Sequence, residues 1–213
     1  MRVRYNLPDL AQAKRSYAQL ASHYDANTSL INGIRLRAVA LLNPQAGEVI
    51  ADVACGTGFC LPWLSHEVGP DGLVIGIEAS PDMLAIAEQR CRYWGLHNVS
   101  LQCAPAREAH LERAAHGFLF SYAHDVLQCG ASLDHLFAQG MPNARVVSVG
   151  TKLFPWWLSW FNPIERFTVR HYLSTPEALK EPWQQLAQRV PDLHVQPQFP
   201  GSRYLAHGIW RSA

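Results

Sequence analysis

The sequence predicts an α/β chain built on a doubly wound, mainly parallel sheet, and three observations carry that prediction. Short β-branched runs alternate with helical patterns through residues 49–150, the order expected of successive βαβ units. The first run, Val49-Ile-Ala-Asp-Val53, ends in the turn Cys55-Gly-Thr-Gly58, and a helical pattern begins at Phe59. A second buried run, Leu73–Ile77, ends on Glu78. Strand, glycine turn and helix in that order make a nucleotide-type site. The glycines let backbone approach a ligand, and the helix N-terminus offers unpaired N–H groups. A carboxylate ending the second strand can accept hydrogen bonds from both hydroxyls of a ribose.

The spacing then selects among nucleotides. A dinucleotide fingerprint needs a third glycine three residues after the second, and Leu61 stands there. Asp52, four residues before Gly56, would repel a pyrophosphate and suits a ligand with an ammonium group. The stretch Asp52-Val-Ala-Cys-Gly-Thr-Gly58, followed by Gly76-Ile-Glu-Ala-Ser-Pro-Asp-Met-Leu84, resembles the first two motifs of class I S-adenosylmethionine-dependent methyltransferases. An ordinary βα turn is the bland alternative, since glycine turns are common. The pattern Tyr24-Asp-Ala-Asn with Arg35-Leu-Arg37 also resembles the branch of ubiquinone-type and lipid-headgroup methyltransferases.

Composition fits a single domain over 1–213, with 48% hydrophobic and 16% charged residues. A net charge of +1 gives no broad field for nucleic acid or an acidic membrane. Neither a basic patch with interleaved aromatics nor the Asn-Pro-Pro-Tyr signature of amino-group methylation occurs, which speaks against a nucleic-acid substrate. Five cysteines without a Cys-x-x-Cys pair suggest free thiols, and the lack of an apolar leader or spanning run suggests a cytoplasmic protein. Histidines and cysteines lack paired spacing, so no metal is expected.

Before the core, apolar faces over Asp9–Tyr24 and after Asn27-Thr28 (Ile31, Ile34, Ala38, Leu41) predict two N-terminal helices within 1–46, placed to act as a lid. The nucleotide-binding core spans 47–150. Within it, Ser80-Pro81 starts a helix. The third, fourth and fifth strands are Val99–Cys103, Gly117–Tyr122 and Ala144–Val149. Ligands of such sheets lie beyond the carboxyl ends of the strands, which places Ser121, Tyr122, His124 and Asp125 near the reacting group. The remainder, 151–213, holds the aromatic run Phe154-Pro-Trp-Trp-Leu-Ser-Trp-Phe161 after the fifth strand, then a helix start at Ser174 and a helix from Pro182 to Val190. It closes in a hairpin of Leu193–Phe199 and Arg203–Trp210. The resemblance implies a Rossmann-like doubly wound sheet of seven strands whose last strand is antiparallel.

The resemblance further implies S-adenosyl-L-methionine as cofactor and a small molecule as acceptor. Backbone at Ala54, Cys55, Gly56, Thr57 and Gly58 would face the methionine part, with Asp52 toward its ammonium. Glu78 would take the ribose, and Ala79, Met83, Ala104 and Pro105 would frame the adenine, with Ser121 nearby. Many relatives place an acid after the third strand; here Ala104-Pro-Ala106 stands instead. Tyr24 is expected in the lid as a cofactor and catalytic residue. Tyr17, Tyr122, Trp156, Trp157 and Trp160 are expected around the acceptor. His124 is the candidate base, because its near-neutral pKa suits proton removal; a structural histidine fits the same position. The tryptophan run equally fits a core plug, a homodimer contact or a membrane-surface module, though the net charge gives the last little help. Cofactor binding without methyl transfer is the competing reading: a cyclase, an aminopropyl transferase or a non-catalytic partner subunit.

Overall fold

The computed structural model describes residues 29–163, 179–199 and 201–212. The chain divides into two compact units, Met1–Ile34 and Arg35–Ala213, and the second holds the sheet. The predicted first helix, Tyr17, Tyr24 and the helix start at Ser174 lie outside the described residues.

Seven strands form one sheet in the order β3-β2-β1-β4-β5-β7-β6. They are β1 (Val49–Val53), β2 (Leu73–Glu78), β3 (Val99–Cys103), β4 (Ala115–Ser121), β5 (Gly140–Thr151), β6 (His194–Gln198) and β7 (Arg203–Ile209). The first five pair in parallel, and β7 pairs antiparallel with both β5 and β6. The class I arrangement expected from the resemblance is therefore present, including the antiparallel seventh strand. The parallel interior explains the sequence pattern. Strand β1 is buried along its whole length, so it reads as a continuous apolar run and not as an alternation.

Helices α1 (Ser29–Leu42), α2 (Leu61–Val68), α3 (Pro81–Trp94), α4 (His124–Gln128), α5 (Gly130–Phe137) and α6 (Gln184–Ala187) make the crossovers and flanks. Ser80 caps α3 through its side chain, accepting from the Met83 N–H, with Pro81 at the first position and Gly95 closing the helix in a left-handed conformation. The region Arg35–Leu42 of α1 packs into the core. Ala38, Val39 and Leu42 are buried, and the Leu42 carbonyl accepts a 2.8 Å bond from Arg145 Nε at the amino side of the sheet. The opposite end of this stretch brings Arg35 to Tyr122, just past β4.

Two expectations shift. Strand β5 runs from Gly140 to Thr151, beyond the predicted Ala144–Val149, because β7 pairs with it as far as Thr151. The helix expected up to Val190 shortens to α6; Leu186 within it and Val190 beyond it both enter the core.

Candidate active site

Register brings the predicted residues together. Val53 pairs with Ile77 and Phe120, while Glu78 pairs with Cys103 and Ser121 with Val149. The segments after these strands therefore share one edge of the sheet: Ala54–Gly58, Glu78–Ser80, Ala104–Ala106 and Tyr122–His124. The crevice lies where strand order reverses, between β1 and β4. Two non-glycine residues, Ala54 (φ 55°) and Tyr122 (φ 59°), take left-handed conformations there, one after each of these strands. Backbone strain of this kind concentrates at binding sites.

The glycine turn is built by its two glycines in different ways. Gly58 (φ 74°) sits in close packing, since a Cβ there would lie 2.7 Å from Leu61 Cδ1 and 3.0 Å from Ala87 Cβ. Gly58 thus joins α2 to α3. Gly56 (φ 56°) faces open space, with nothing within 4 Å of a Cβ built on it. This is the position at which a ligand can approach backbone. Glu78 holds the turn: its Oε2 accepts from Gly56 N at 2.9 Å and its Oε1 from Ser80 N at 2.8 Å. A carboxylate oxygen has two acceptor sites, so each keeps capacity for a ligand hydroxyl.

Beneath the turn, both carboxylate oxygens of Asp52 are buried without a hydrogen-bond partner among the described residues. Burial pushes the Asp52 carboxyl up to about 7, the Arg35 cation opposes that rise, and the Glu78 charge adds to it. The Arg35 guanidinium lies 5.2 Å from the Phe59 ring centroid and 5.1 Å from that of Tyr122. Arg90, pushed down to about 10 by burial, lies 5.8 Å from the same Phe59 centroid. An acid and a cation within electrostatic reach of each other beside a glycine turn form a dipolar slot. The arrangement suits a zwitterionic group, whose ammonium complements Asp52 and whose carboxylate complements Arg35. Sequence reasoning gives Arg35 no role in the site. Only the Arg35-Leu-Arg37 pattern hints at it, because its approach to Asp52 requires the helix to be laid on the sheet.

The remaining predicted residues fall into three groups. Met83, Thr57 and Ala104 are half-buried along the crevice, while Ala79 and Pro105 are exposed at its rim. Cys55 is buried, and burial pushes its thiol and that of Cys60 far upward, so neither serves as a thiolate. His124 is buried, with Nε2 2.9 Å from the Thr151 carbonyl oxygen and 3.1 Å from Thr151 N. Backbone at Tyr122 also bonds the ring, and burial lowers its pKa. These contacts tie the segment after β4 to the end of β5, the arrangement of the structural histidine that fits the same position. Trp156, Trp157 and Trp160 lie on the 3-10 helix Trp156–Phe161 and are 87%, 57% and 75% exposed. Exposure of this degree sets them apart from the buried core. The run follows the end of β5 at Thr151, and Leu153 before it donates a 2.9 Å backbone bond to the Leu179 carbonyl.

Residues 50–141 match the family described as a methyltransferase domain. The match takes in the strands and turns that carry the glycine–acid site. Over 92 residues it is 36% identical to a demethylmenaquinone methyltransferase of Geobacillus stearothermophilus, covering 41% of this chain and 39% of that protein. It is 30% identical over 117 residues to the aklanonic acid methyltransferase DauC of Streptomyces sp. (strain C5), covering 51% and 53%. The chain thus spans about two fifths to one half of the length of these relatives. Among solved structures, an S-adenosylmethionine-dependent methyltransferase from Aquifex aeolicus superposes with a TM-score of 0.63 at 18% identity, covering 90% of this chain and 97% of the other. An O-methyltransferase from Bacillus cereus in complex with S-adenosylhomocysteine gives 0.63 at 12% identity, covering 97% and 94%. These two likenesses speak to the fold. Among the described residues, no helix is long and apolar enough to cross a membrane.

Proposed function

We propose that this chain moves the methyl group of S-adenosylmethionine to a small, largely apolar acceptor. The observation that carries the reading is the buried Asp52, unpartnered among the described residues and within electrostatic reach of Arg35 under the glycine turn. A buried carboxylate without a partner is costly, and a ligand ammonium offsets that cost. The other cofactor contacts rest on the same geometry. Glu78 has acceptor capacity left for the ribose hydroxyls, and the open face of Gly56 admits the methionine chain. Met83 and Ala104 flank the adenine.

Bound cofactor supplies an activated methyl on a sulfonium, whose sulfur keeps the bonding pair when the methyl leaves. The chain's work is to hold the acceptor in line with it and to exclude water. Tyr122, strained at the end of β4 beside Arg35, stands where the acceptor would be positioned. His124 keeps that tyrosine in place by fastening its segment to Thr151. The acceptor class draws support from relatives named for demethylmenaquinone and aklanonic acid. Tyr24 and Tyr17 remain proposed as lid residues.

The test is calorimetric titration of S-adenosylmethionine, followed by chromatographic detection of S-adenosylhomocysteine with apolar phenols, quinols and amines as acceptors. Cofactor binding together with acceptor-dependent S-adenosylhomocysteine release is expected. Binding with no such release would favour non-transferring chemistry on the same fold.

A further inference from the structure

The tryptophans are one part of a larger face. Phe199 is 97% exposed, and its turn abuts the start of the tryptophan run, since a Cβ on Gly201 would lie 2.9 Å from Pro155 Cδ. Cations gather around these aromatic groups. Lys152, two residues before the run, is tied by its backbone N–H to the Ser202 carbonyl, and its Nζ donates to the Leu153 carbonyl at 2.9 Å. Lys180 follows Leu179, the backbone partner of Leu153. Arg203 pairs with Thr151 across the β5–β7 ladder, and Arg37 donates to the Gln198 side chain at 2.6 Å. Among the described residues, Glu181 adjoins Lys180 in sequence, and Asp125 and Arg203 both lie within electrostatic reach of His124. A chain with net charge +1 therefore concentrates positive charge around four exposed aromatic side chains.

We propose that this face docks the protein onto the surface of an anionic lipid bilayer. Indole rings carry an apolar body and an N–H donor, so they settle at the boundary between headgroups and acyl chains. Lysine and arginine beside them are drawn to anionic headgroups within a Debye length. A second copy is the less suitable occupant, because a two-fold contact would set the same cations against themselves. The face also continues from Thr151, at the carboxyl edge where the crevice opens. A bilayer bound there is a source of apolar acceptor; this delivery role rests on the proposed methyl transfer, whereas docking itself does not.

Flotation of the full chain with phosphatidylcholine vesicles, with and without about one third phosphatidylglycerol, tests the proposal. Binding to the anionic vesicles that weakens with salt is expected. The triple variant Trp156→Ala, Trp157→Ala, Trp160→Ala should lower the partition coefficient at least about tenfold. Lys152→Gln with Lys180→Gln should flatten the salt dependence. The three indoles are largely exposed, and circular dichroism checks that each variant remains folded. Titration of S-adenosylmethionine into the triple variant reads the cofactor site separately, so loss of one property is distinguishable from loss of the other. No binding to anionic vesicles at low salt, or undiminished binding by the triple variant, overturns docking. So does a dimer in sedimentation velocity that the triple variant abolishes while vesicles leave it intact.

Discussion

Glu78, the last residue of β2, accepts a 2.9 Å hydrogen bond from the backbone N–H of Gly56, 22 positions earlier in the chain. One carboxylate thereby ties the two conspicuous motifs of the sequence together, and its other oxygen sets the start of α3 through Ser80. Glu78→Ala removes these bonds and the proposed ribose contact together. Cofactor affinity should fall by about 2–4 kcal/mol, the range for losing charge-assisted bonds, read by calorimetry at constant salt. Unchanged affinity would place the ribose elsewhere.

The two glycines of the turn should respond differently to alanine. At Gly58, an added methyl meets Leu61 and Ala87 in a left-handed conformation, and the loss of stability should be about 2–4 kcal/mol. At Gly56 the methyl enters open space, so stability should fall by only about 1 kcal/mol. Cofactor affinity should nevertheless be lost in Gly56→Ala. Urea unfolding beside calorimetry separates the two effects, and equal destabilisation would contradict the packing described.

Asp52 gives a pH signature. Its carboxyl ordinarily titrates near 3.8 and is raised to about 7 in the fold. The folded protein therefore favours the protonated form. Stability is greatest below the unfolded value and declines as pH rises from about 4 to about 7, where the penalty levels off. Asp52→Asn should remove this decline and be more stable than the wild type at pH 8, by up to about 3–4 kcal/mol. A cofactor ammonium favours the ionised form, so wild-type affinity should increase through pH 7 while that of the asparagine variant stays low. Parallel pH profiles for the two proteins in thermal unfolding would rule out a titrating Asp52.

His124 distinguishes a strut from a base. Replacing it with alanine leaves the buried backbone of Thr151 short of a partner, which should cost about 1–3 kcal/mol of stability. Turnover should fall without a change in the shape of the pH–rate curve. Loss of an ascending limb near neutral pH, with stability intact, would restore the role of base.

Much of the core is legible in the sequence because its determinants are local. Strand β1 spans the residues its β-branched run predicts, and the Ser80-Pro81 start of α3 is present with its side-chain cap. The candidate cofactor residues also cluster as their spacing suggests, since parallel register aligns the ends of β1, β2 and β3. His124 shows where local reading stops. Its type and position suit a base, but only the tertiary partner Thr151, 27 residues later, determines which way the imidazole faces.

Fold class and the glycine–acid site are written in the chain itself, because strand patterning, turn glycines and caps act over a few residues. Charge pairing and the exposed surface are settled only in three dimensions. Arg35 comes within electrostatic reach of Asp52, and onto the Tyr122 ring, only once α1 is packed in the fold. The tryptophans lie exposed past the end of β5, where Leu153 is bonded to Leu179 from a distant segment. Both outcomes depend on segments distant in sequence, and hydrophobic periodicity carries no information about which distant partner a side chain will meet.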